Sequence, residues 1–385
     1  MQCSVQWPQK LSEPQSLSER FPDEWEPLLA ELQEPRYRSV QIFRWIHKRG
    51  LFNSAEMTDL PLSLREELLK RGLSAPTAIV GRRISSDKTR KLLLEMNDRR
   101  RVETVLIPHT SSPQSELFSL SQEDELDGND SRDSRRVTQC LSCQVGCAMG
   151  CRFCASGKVG LIRQMTAAEI VSQISAAQGE LKETERISAI VLMGIGEPLH
   201  NYGAISRALL LLSHPDGQAM SLRRMTVSTC GLVPEIDRLA KDFGGEVQLA
   251  VSIHSADDAV RSDLMPINRK YPVREVVEAM RRYPTGTHER ITVEYTLIRR
   301  INDSENDARR LVKLLRGVPV KVNLIPMNPI ECTQLEAPPE AAVDAFYNHL
   351  RGAGMMVFLR RPRGDDIAAA CGQLALGGEL RRNLA

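Results

Sequence analysis

The stretch VTQCLSCQVGCAMGCRFC, residues 137–154, decides the fold, because an apolar strand-like run leads directly into a cysteine-rich loop. Within that loop Cys147, Cys151 and Cys154 have C-x3-C-x2-C spacing. Three thiolates from one loop can hold three corners of a cubane iron–sulfur cluster, whose usual ligand set is four cysteines. The missing fourth ligand leaves one iron open to a substrate. Structural zinc is the alternative, but no matching CxxC or HxxxH pair follows downstream.

Outward from this loop, apolar runs and amphipathic helical patterns alternate. The strand-like runs are Val137–Leu141, Ile187–Met193, Arg224–Ser228, Val247–Ile253, Ile291–Ile298 and Lys321–Ile325. The helical patterns between and after them are Ala167–Ala177, Ala204–Leu212, Pro234–Asp242, Val273–Arg282, Asn306–Leu315 and Glu340–Leu350. This alternation predicts a parallel sheet, open or closed into a barrel, with its chemistry at the carboxyl ends of the strands.

The remaining chain divides by its patterns into four further parts. Residues 1–90 are predicted to be a small helical domain, in which Ile42, Trp45 and Ile46 share one helical face. Residues 91–108 hold connecting strands that carry Glu103. Residues 109–136, rich in Ser, Asp and Glu, predict a flexible insertion. The core then spans residues 137–366, and a C-terminal segment, 367–385, carries Cys371.

Composition excludes several classes of protein. Of the 385 residues, 42% are hydrophobic and 26% charged, which is typical of globular proteins rather than disordered or fibrous ones. No apolar run approaches the ~20 residues of a membrane-spanning helix, and no secretory signal is visible, so we expect a cytoplasmic protein. The 51 basic and 49 acidic residues leave no large basic field, although a local basic groove is compatible with them.

A glycine-rich turn follows the second predicted strand, at residues 194–198 (GIGEP). Glycines there let the backbone approach a ligand, and Glu197 could accept a hydrogen bond from an ammonium group; a plain turn is the alternative. This turn and the cysteine loop together resemble the radical S-adenosylmethionine (SAM) enzymes. The resemblance implies that Cys147, Cys151 and Cys154 bind a [4Fe–4S] cluster whose open iron chelates SAM. One electron then cleaves SAM to methionine and a 5′-deoxyadenosyl radical.

Further segments resemble one branch of that superfamily, the RlmN/Cfr family of RNA adenosine methyltransferases. They are QVGC (144–147), MGIGEPLHN (193–201), VSTCG (227–231), AVSIH (250–254), PIN (266–268), EY (294–295) and NLIPMNP (323–329). The most specific is RGDDI (363–367) leading into ACGQL (370–374). The resemblance covers residues 38–376.

The resemblance implies a mechanism and its residues. One SAM methylates Cys371, and the radical from a second SAM takes a hydrogen from that methyl group. The resulting radical adds to adenine, Glu103 accepts the ring proton, and Cys140 attacks the sulfur of Cys371, which releases methylated RNA and leaves a disulfide bond. The resemblance also implies a set of SAM-site residues: Gly196, Glu197, Ser228, Ser252, Ile253, His254 and Asn328.

Each catalytic residue also has a simpler interpretation. Cys371 alone could be a buried structural cysteine, Glu103 a solvated carboxylate and His254 a core histidine. Cys143 departs from the family, which usually has serine there. It could be an adventitious cluster ligand, a competing resolving thiol or an inert buried residue.

The sequence therefore predicts an α/β protein, a partial (β/α)6 radical SAM barrel with a small N-terminal helical domain. The expected reaction is methylation of adenosine carbon 2 in 23S rRNA, with tRNA as an additional candidate substrate. Alternatives are carbon 8 methylation, as in the Cfr branch, and a non-catalytic iron–sulfur or zinc RNA-binding protein. Expected partners are RNA and a flavodoxin-like or ferredoxin-like electron donor, with no membrane and a monomeric state. Five groups of adjacent arginines could meet phosphates: 99–101, 223–224, 281–282, 299–300 and 360–361.

Overall fold

A ten-stranded mixed sheet organises the protein. The computed structural model describes residues 12–109, 135–286, 289–330, 333–360 and 363–374. Its strands are β1 (Thr77–Ile84), β2 (Arg90–Met96), β3 (Arg101–Pro108), β4 (Arg135–Cys140), β5 (Gln144–Gly146), β6 (Leu161–Gln164), β7 (Glu185–Leu192), β8 (Met225–Thr229), β9 (Gln248–Ser252), β10 (Ile291–Leu297), β11 (Val320–Pro326) and β12 (Met356–Leu359). The order in the sheet is β1-β2-β3-β4-β7-β8-β9-β10-β11-β12, and β5 pairs with β6 as a separate hairpin.

The sheet has an antiparallel part and a parallel part. Strands β1 to β4 pair antiparallel, whereas every pair from β4–β7 to β11–β12 is parallel. The six predicted core strands are confirmed as β4 and β7 to β11, and β12 adds a seventh parallel strand. Because all seven parallel strands run the same way, their carboxyl ends meet at one rim. The predicted α/β class and partial barrel are confirmed.

Helices cover the parallel part of the sheet and build the N-terminal part of the chain. They are α1 (Pro22–Glu31), α2 (Arg38–Phe43), α3 (Leu62–Lys70), α4 (Ala155–Val159), α5 (Ala167–Gln178), α6 (Tyr202–Ser213), α7 (Val233–Phe243), α8 (Asp258–Leu264), α9 (Val273–Arg282), α10 (Glu305–Leu315) and α11 (Glu340–Gly352). Capping boxes at Thr166 and Ser304 satisfy the first backbone donors of α5 and α10. None of these helices is both long and apolar enough to cross a bilayer.

The N-terminal helices have an apolar cluster of their own. Trp25, Ile42, Trp45, Ile46 and Leu68 are buried in it, so the predicted shared face of α2 and the turn after it is confirmed. Arg207 on α6 joins this part to the barrel. Its buried guanidinium forms an ion pair with Glu24 of α1 at 2.7 Å.

Two predicted parts of the chain differ from the structure or lie beyond it. Residues 77–84, predicted within a helical domain, form strand β1. Gly81 and the two arginines after it interrupt the apolar alternation that would indicate a strand. Strand β1 is an edge strand with a bulge between Ile79 and Gly81. Most of the predicted insertion 109–136 and the end of the segment 367–385 lie outside the described residues. The remaining boundaries stay predictions.

Candidate active site

The three motif cysteines line one cavity at the carboxyl rim of the parallel strands. Strand β4 ends at Cys140, and the chain then runs through β5 into the loop that holds Cys147, Cys151 and Cys154. All three contribute to a cavity of about 160 Å³. The loop is tight, because a Cβ atom on Gly157 would lie 2.8 Å from the backbone nitrogen of Cys151. Burial, opposed by a backbone hydrogen bond at Met149, raises the pKa of Cys147 to about 12.

The glycine-rich turn places Glu197 on the same cavity. Gly196 has φ +114°, and a Cβ atom there would lie 2.7 Å from the Cβ of Gln144, so both the backbone conformation and the space require glycine. Gln144 accepts a hydrogen bond from the Glu197 backbone nitrogen at 2.8 Å. The Glu197 carboxylate accepts from the backbone nitrogens of Leu199 and Cys230 at 3.0 and 2.8 Å. Burial raises the pKa of Glu197, and these hydrogen bonds oppose the shift.

Four residues from three other strand ends add to the wall. Ser228, Ser252, His254 and Asn328 line the cavity, as predicted, whereas the side chain of Ile253 is buried in the core and does not. His254 has φ +53°, and its Nδ1 accepts a hydrogen bond from the Thr296 backbone nitrogen at 2.8 Å. Burial, followed by the Arg261 guanidinium, lowers the pKa of His254 to about 3, so its imidazole is neutral at physiological pH.

Cys371 lies on the rim of this cavity and is exposed to solvent. Its carbonyl accepts a hydrogen bond from Asn328 Nδ2 at 3.0 Å, and the next carbonyl, of Gly372, accepts from the Ala155 backbone nitrogen at 2.8 Å. The C-terminal segment therefore packs directly against the cysteine loop. The residue is accessible to solvent, whereas burial by the surrounding protein raises the pKa of its thiol.

Cys140 lies behind the cavity rather than in its wall. Its thiol is buried, and burial followed by the Cys371 thiol raises the pKa of Cys140 to about 12. The electrostatic effect of Cys371 on Cys140 places the two thiols, which 230 residues of sequence separate, within electrostatic range of each other. All seven cysteines among the described residues are free, so the expected disulfide bond is absent from this state of the protein.

Glu103 lies on β3, the strand that pairs with β4 at Cys140, and outside the cavity wall. Its side chain is buried, and its carboxylate forms an ion pair with Lys91 of β2 at 2.9 Å. The alternative of a solvated carboxylate is therefore wrong. The Glu103 carbonyl accepts a hydrogen bond from Ser142 Oγ at 2.6 Å, which ties β3 to the first turn of the cysteine loop.

Comparisons with known proteins agree with this geometry. The model of the radical SAM superfamily matches residues 141–312, and that of the ribosomal RNA large subunit methyltransferase N-terminal domain matches residues 22–72. A protein of Sorangium cellulosum named dual-specificity RNA methyltransferase RlmN is 50% identical, over 95% of this chain and 97% of its own. The protein of that name from Geobacter sulfurreducens is 42% identical, over 91% and 89%.

The chain belongs to the RlmN family. A solved structure supports the assignment at the level of fold. The crystal structure of a radical SAM methyltransferase from Sphaerobacter thermophilus superposes with a TM-score of 0.83 at 41% identity, covering 94% of this chain and 99% of that one. The protein is thus a radical SAM methyltransferase, and its cofactors are a [4Fe–4S] cluster and SAM.

The cavity of this RlmN-family protein fits those cofactors. The described residues offer no group of three His, Cys, Asp or Glu side chains converging on a single ion. A cubane does not require one, because each cysteine binds a different iron. Burial and the neighbouring thiols Cys154 and Cys147 raise the pKa of Cys151 well above its usual range. Iron would supply the positive charge that three clustered thiolates need.

Several residues important to the site were not predicted. Glu294 and Thr296 of β10 line the cavity, and a polar residue at every second position of this apolar strand was the available signal. Arg261 of α8 is buried and donates hydrogen bonds to the carbonyls of Cys230, Ser252 and Ile253, which holds the ends of β8 and β9 together. No sequence pattern singled it out.

Cys143 is buried at 2% exposure and does not line the cavity. Its sulfur packs against the glycine-rich turn, 2.9 Å from where a Cβ atom on Gly196 would lie. Burial, followed by Glu197 and Cys147, raises the pKa of Cys143 well above its usual range. These features favour the inert buried residue among the three alternatives.

Most of the predicted arginine groups are locally neutralised. Arg101 pairs with Glu95, Arg282 with Asp237 and Arg299 with Glu336, at 2.9, 2.8 and 3.0 Å. Arg223 pairs with Glu246 at 3.1 Å. These ion pairs neutralise part of each group, and contact of the groups with RNA phosphates stays a prediction.

Proposed function

We propose that the protein methylates carbon 2 of an adenosine in 23S rRNA, and also in tRNA, through an S-methylcysteine intermediate. The observation that carries this proposal is the position of Cys371. A cysteine at the rim of the cofactor cavity, with a second thiol in electrostatic range, has a use in methyl transfer through cysteine and none in a protein that only binds RNA. The RNA specificity follows the names of the RlmN relatives.

The cavity residues divide the work of binding. Cys147, Cys151 and Cys154 would hold the cluster, and Glu197 would accept from the ammonium group of SAM. Ser228, Ser252, His254 and Asn328 would contact the remainder of SAM, with Ile253 contributing through its backbone. Together the cluster and SAM supply a hydrogen-abstracting adenosyl radical.

Three residues outside the cofactor contacts would carry the methyl transfer. Cys371 takes the methyl group and bonds to adenine through it. Glu103 accepts the proton of the adenine carbon, and Cys140 attacks the Cys371 sulfur to release the product. Thiol–disulfide exchange of this kind requires two cysteines within bonding distance, and the electrostatic interaction between Cys140 and Cys371 supports their pairing during turnover.

The same proposal implies partners and a location. The substrate is RNA, and the N-terminal helices are the part that we expect to bind it. A flavodoxin-like or ferredoxin-like protein would supply the electron. Ribosomal RNA as substrate implies a cytoplasmic protein, and we expect a monomer.

Product analysis tests the reaction. Reconstituted enzyme is incubated with reductant, unmodified rRNA or tRNA and methyl-labelled SAM, and the nucleosides are resolved by mass spectrometry. We expect label in 2-methyladenosine. Label in 8-methyladenosine would instead establish the carbon 8 alternative, and SAM cleavage without any labelled nucleoside would show that the substrate is wrong.

Two cysteine variants test the intermediate. Cys371→Ala should abolish methyl transfer while SAM still binds, because only the methyl acceptor is lost. Cys140→Ala should trap a covalent protein–RNA adduct on a denaturing gel, because release needs the second thiol. Cys143→Ser is the matched control for both and should turn over normally. Turnover by Cys371→Ala, or turnover by Cys140→Ala without adduct, would refute the assignment of that cysteine.

A further inference from the structure

Lys91 joins the proposed base to the segment that carries Cys371. Its ammonium group lies 2.9 Å from Glu103 Oε1 and also donates a hydrogen bond to the carbonyl of Ala368 at 2.9 Å. Ala368 is three residues before Cys371 in the chain. The exposed fractions of the Lys91 and Glu103 side chains are only 8% and 5%. A lysine is rarely buried this far unless it is paired.

Strand register explains why the two charges meet. In the antiparallel pair, Leu93 lies opposite Glu103 and Lys91 lies opposite Val105. Lys91 and Glu103 are therefore diagonal neighbours on the same face of the sheet, within reach of a long side chain. The lysine is fixed by the sheet itself and not by a mobile loop.

The turn between β1 and β2 grips the same C-terminal segment. Asp87 forms an ion pair with Arg363 at 3.0 Å, and the Ser86 backbone nitrogen donates to Asp366 at 3.0 Å. In this region, Lys91 contacts both Glu103 and the chain that leads into Cys371. It therefore fixes the carboxylate relative to the cysteine that would carry the adenine.

We propose that Lys91 is a positioning residue, which holds the Glu103 carboxylate directed toward the adenine carbon bonded to Cys371 through its methylene. This inference rests on the proposed function. In the step that it serves, the ring C–H bond breaks, its electron pair stays on the ring and the proton bonds to a Glu103 oxygen. Without Lys91, the buried carboxylate would lose an ion pair at 2.9 Å and its link to the chain leading into Cys371. Breaking one side of a buried ion pair is costly, and a carboxylate that turns away from the ring cannot accept the ring proton efficiently.

The test separates this step from the earlier ones. Lys91→Met, Lys91→Arg and, as a control on the exposed turn, Lys88→Met are reconstituted and given SAM, reductant and an rRNA fragment. Three quantities are measured: the methylation of the Cys371 peptide by mass spectrometry, SAM cleavage, and protein–RNA adduct on a denaturing gel.

We expect Lys91→Met to retain Cys371 methylation and SAM cleavage, to accumulate adduct and to form product about tenfold more slowly or worse. Lys91→Arg should recover much of the product, because its guanidinium keeps the charge and two hydrogen bonds, and Lys88→Met should match the parent. Normal product from Lys91→Met would overturn the inference, and so would a parallel loss of Cys371 methylation and SAM cleavage, which indicates a general structural defect.

Two further variants keep the inference testable. If Lys91→Met does not fold, Lys91→Gln keeps a donor for Ala368 without the charge, and the same outcomes apply. Glu103→Gln and Cys140→Ala show whether adduct can accumulate at all. Adduct in these two but not in the Lys91 variants overturns the role of Lys91 alone, whereas adduct in none of them overturns the proposed function as well.

Discussion

Cys151 is the single residue on which the iron–sulfur assignment most directly depends. It lies in the middle of the three-cysteine loop, and its thiol interacts with both Cys147 and Cys154. The anaerobically purified parent should be brown, with about four irons per chain. Cys151→Ala should lose most of that iron and the visible absorbance, because two cysteines cannot hold the cluster.

Cys143→Ser is the matched control for this iron measurement. Serine is close in size to cysteine and does not bind iron as a thiolate does, and Cys143 stands outside the cavity wall. The variant should keep a full iron content. A full cluster in Cys151→Ala, or iron lost from Cys143→Ser, would contradict the ligand assignment.

Glu197 has both a binding role and a structural one. Glu197→Gln should weaken SAM binding about tenfold or more, since it removes a charge-assisted hydrogen bond to the ammonium group. It should also lower the free energy of unfolding by about 1–3 kcal/mol. The amide has one acceptor oxygen for two buried backbone donors, those of Leu199 and Cys230.

SAM titration and urea denaturation check the two effects of Glu197→Gln separately. Glu246→Gln, which changes an exposed ion pair with Arg223, is the control and should alter neither quantity appreciably. Unchanged SAM affinity in Glu197→Gln would show that Glu197 only shapes the turn.

At the scale of elements, α8 acts as a brace through Arg261. Its guanidinium donates to three backbone carbonyls at the ends of β8 and β9 and to Asn268 Oδ1. Arg261→Met should therefore lower the free energy of unfolding by about 3 kcal/mol or more, because several buried carbonyls lose their donor together. Urea denaturation measures this change.

Arg299→Met is the control for the brace. It removes an ion pair with Glu336 whose two side chains are 42% and 66% exposed, so the change should stay within about 1 kcal/mol. Equal losses in Arg261→Met and Arg299→Met would mean that α8 does not brace the strand ends.

The elements were predictable from sequence where the buried residues form one continuous apolar run or one continuous helical face. Strand β10 is buried throughout, and α9 begins and ends at its predicted residues, because a long apolar pattern leaves little choice of period. Short α8 and edge strand β1 were missed. A helix of seven residues shows too few turns for a period, and an edge strand buries too little to need apolar residues.

The sequence predicted which types of residue form the site, but not which of them contact one another. Motif cysteines and Glu197 stand in a recognisable spacing, so the sequence alone placed them at one rim. Lys91 and Arg261 act through carbonyls and carboxylates on other elements, and any lysine or arginine in the chain would have looked the same. Such roles depend on strand register, which a single sequence does not reveal.

At the scale of the whole molecule, two buried histidines should make stability depend on pH. His47 lies between the N-terminal helices and the barrel, its carbonyl accepting a hydrogen bond from Gln218. Burial, followed by the neighbouring His214, lowers the pKa of His47 to about 3, and the pKa of buried His254 is equally low. In the unfolded chain both imidazoles titrate near their usual value of 6.5.

Because the unfolded chain binds these protons first, stability is present above pH 6.5 and is lost as the pH falls toward 3. Each histidine should contribute a slope of up to about 1.4 kcal/mol per pH unit. Urea denaturation measures this slope of stability against pH, at values below 6.5 and above the range in which the carboxylates titrate. His47→Phe keeps an aromatic ring packed against Phe43. It should reduce the slope of stability against pH by the contribution of about one proton. Leu28→Ala, in the adjoining cluster, should lower stability equally at every pH. Parallel curves for His47→Phe and the parent protein would refute the role of His47.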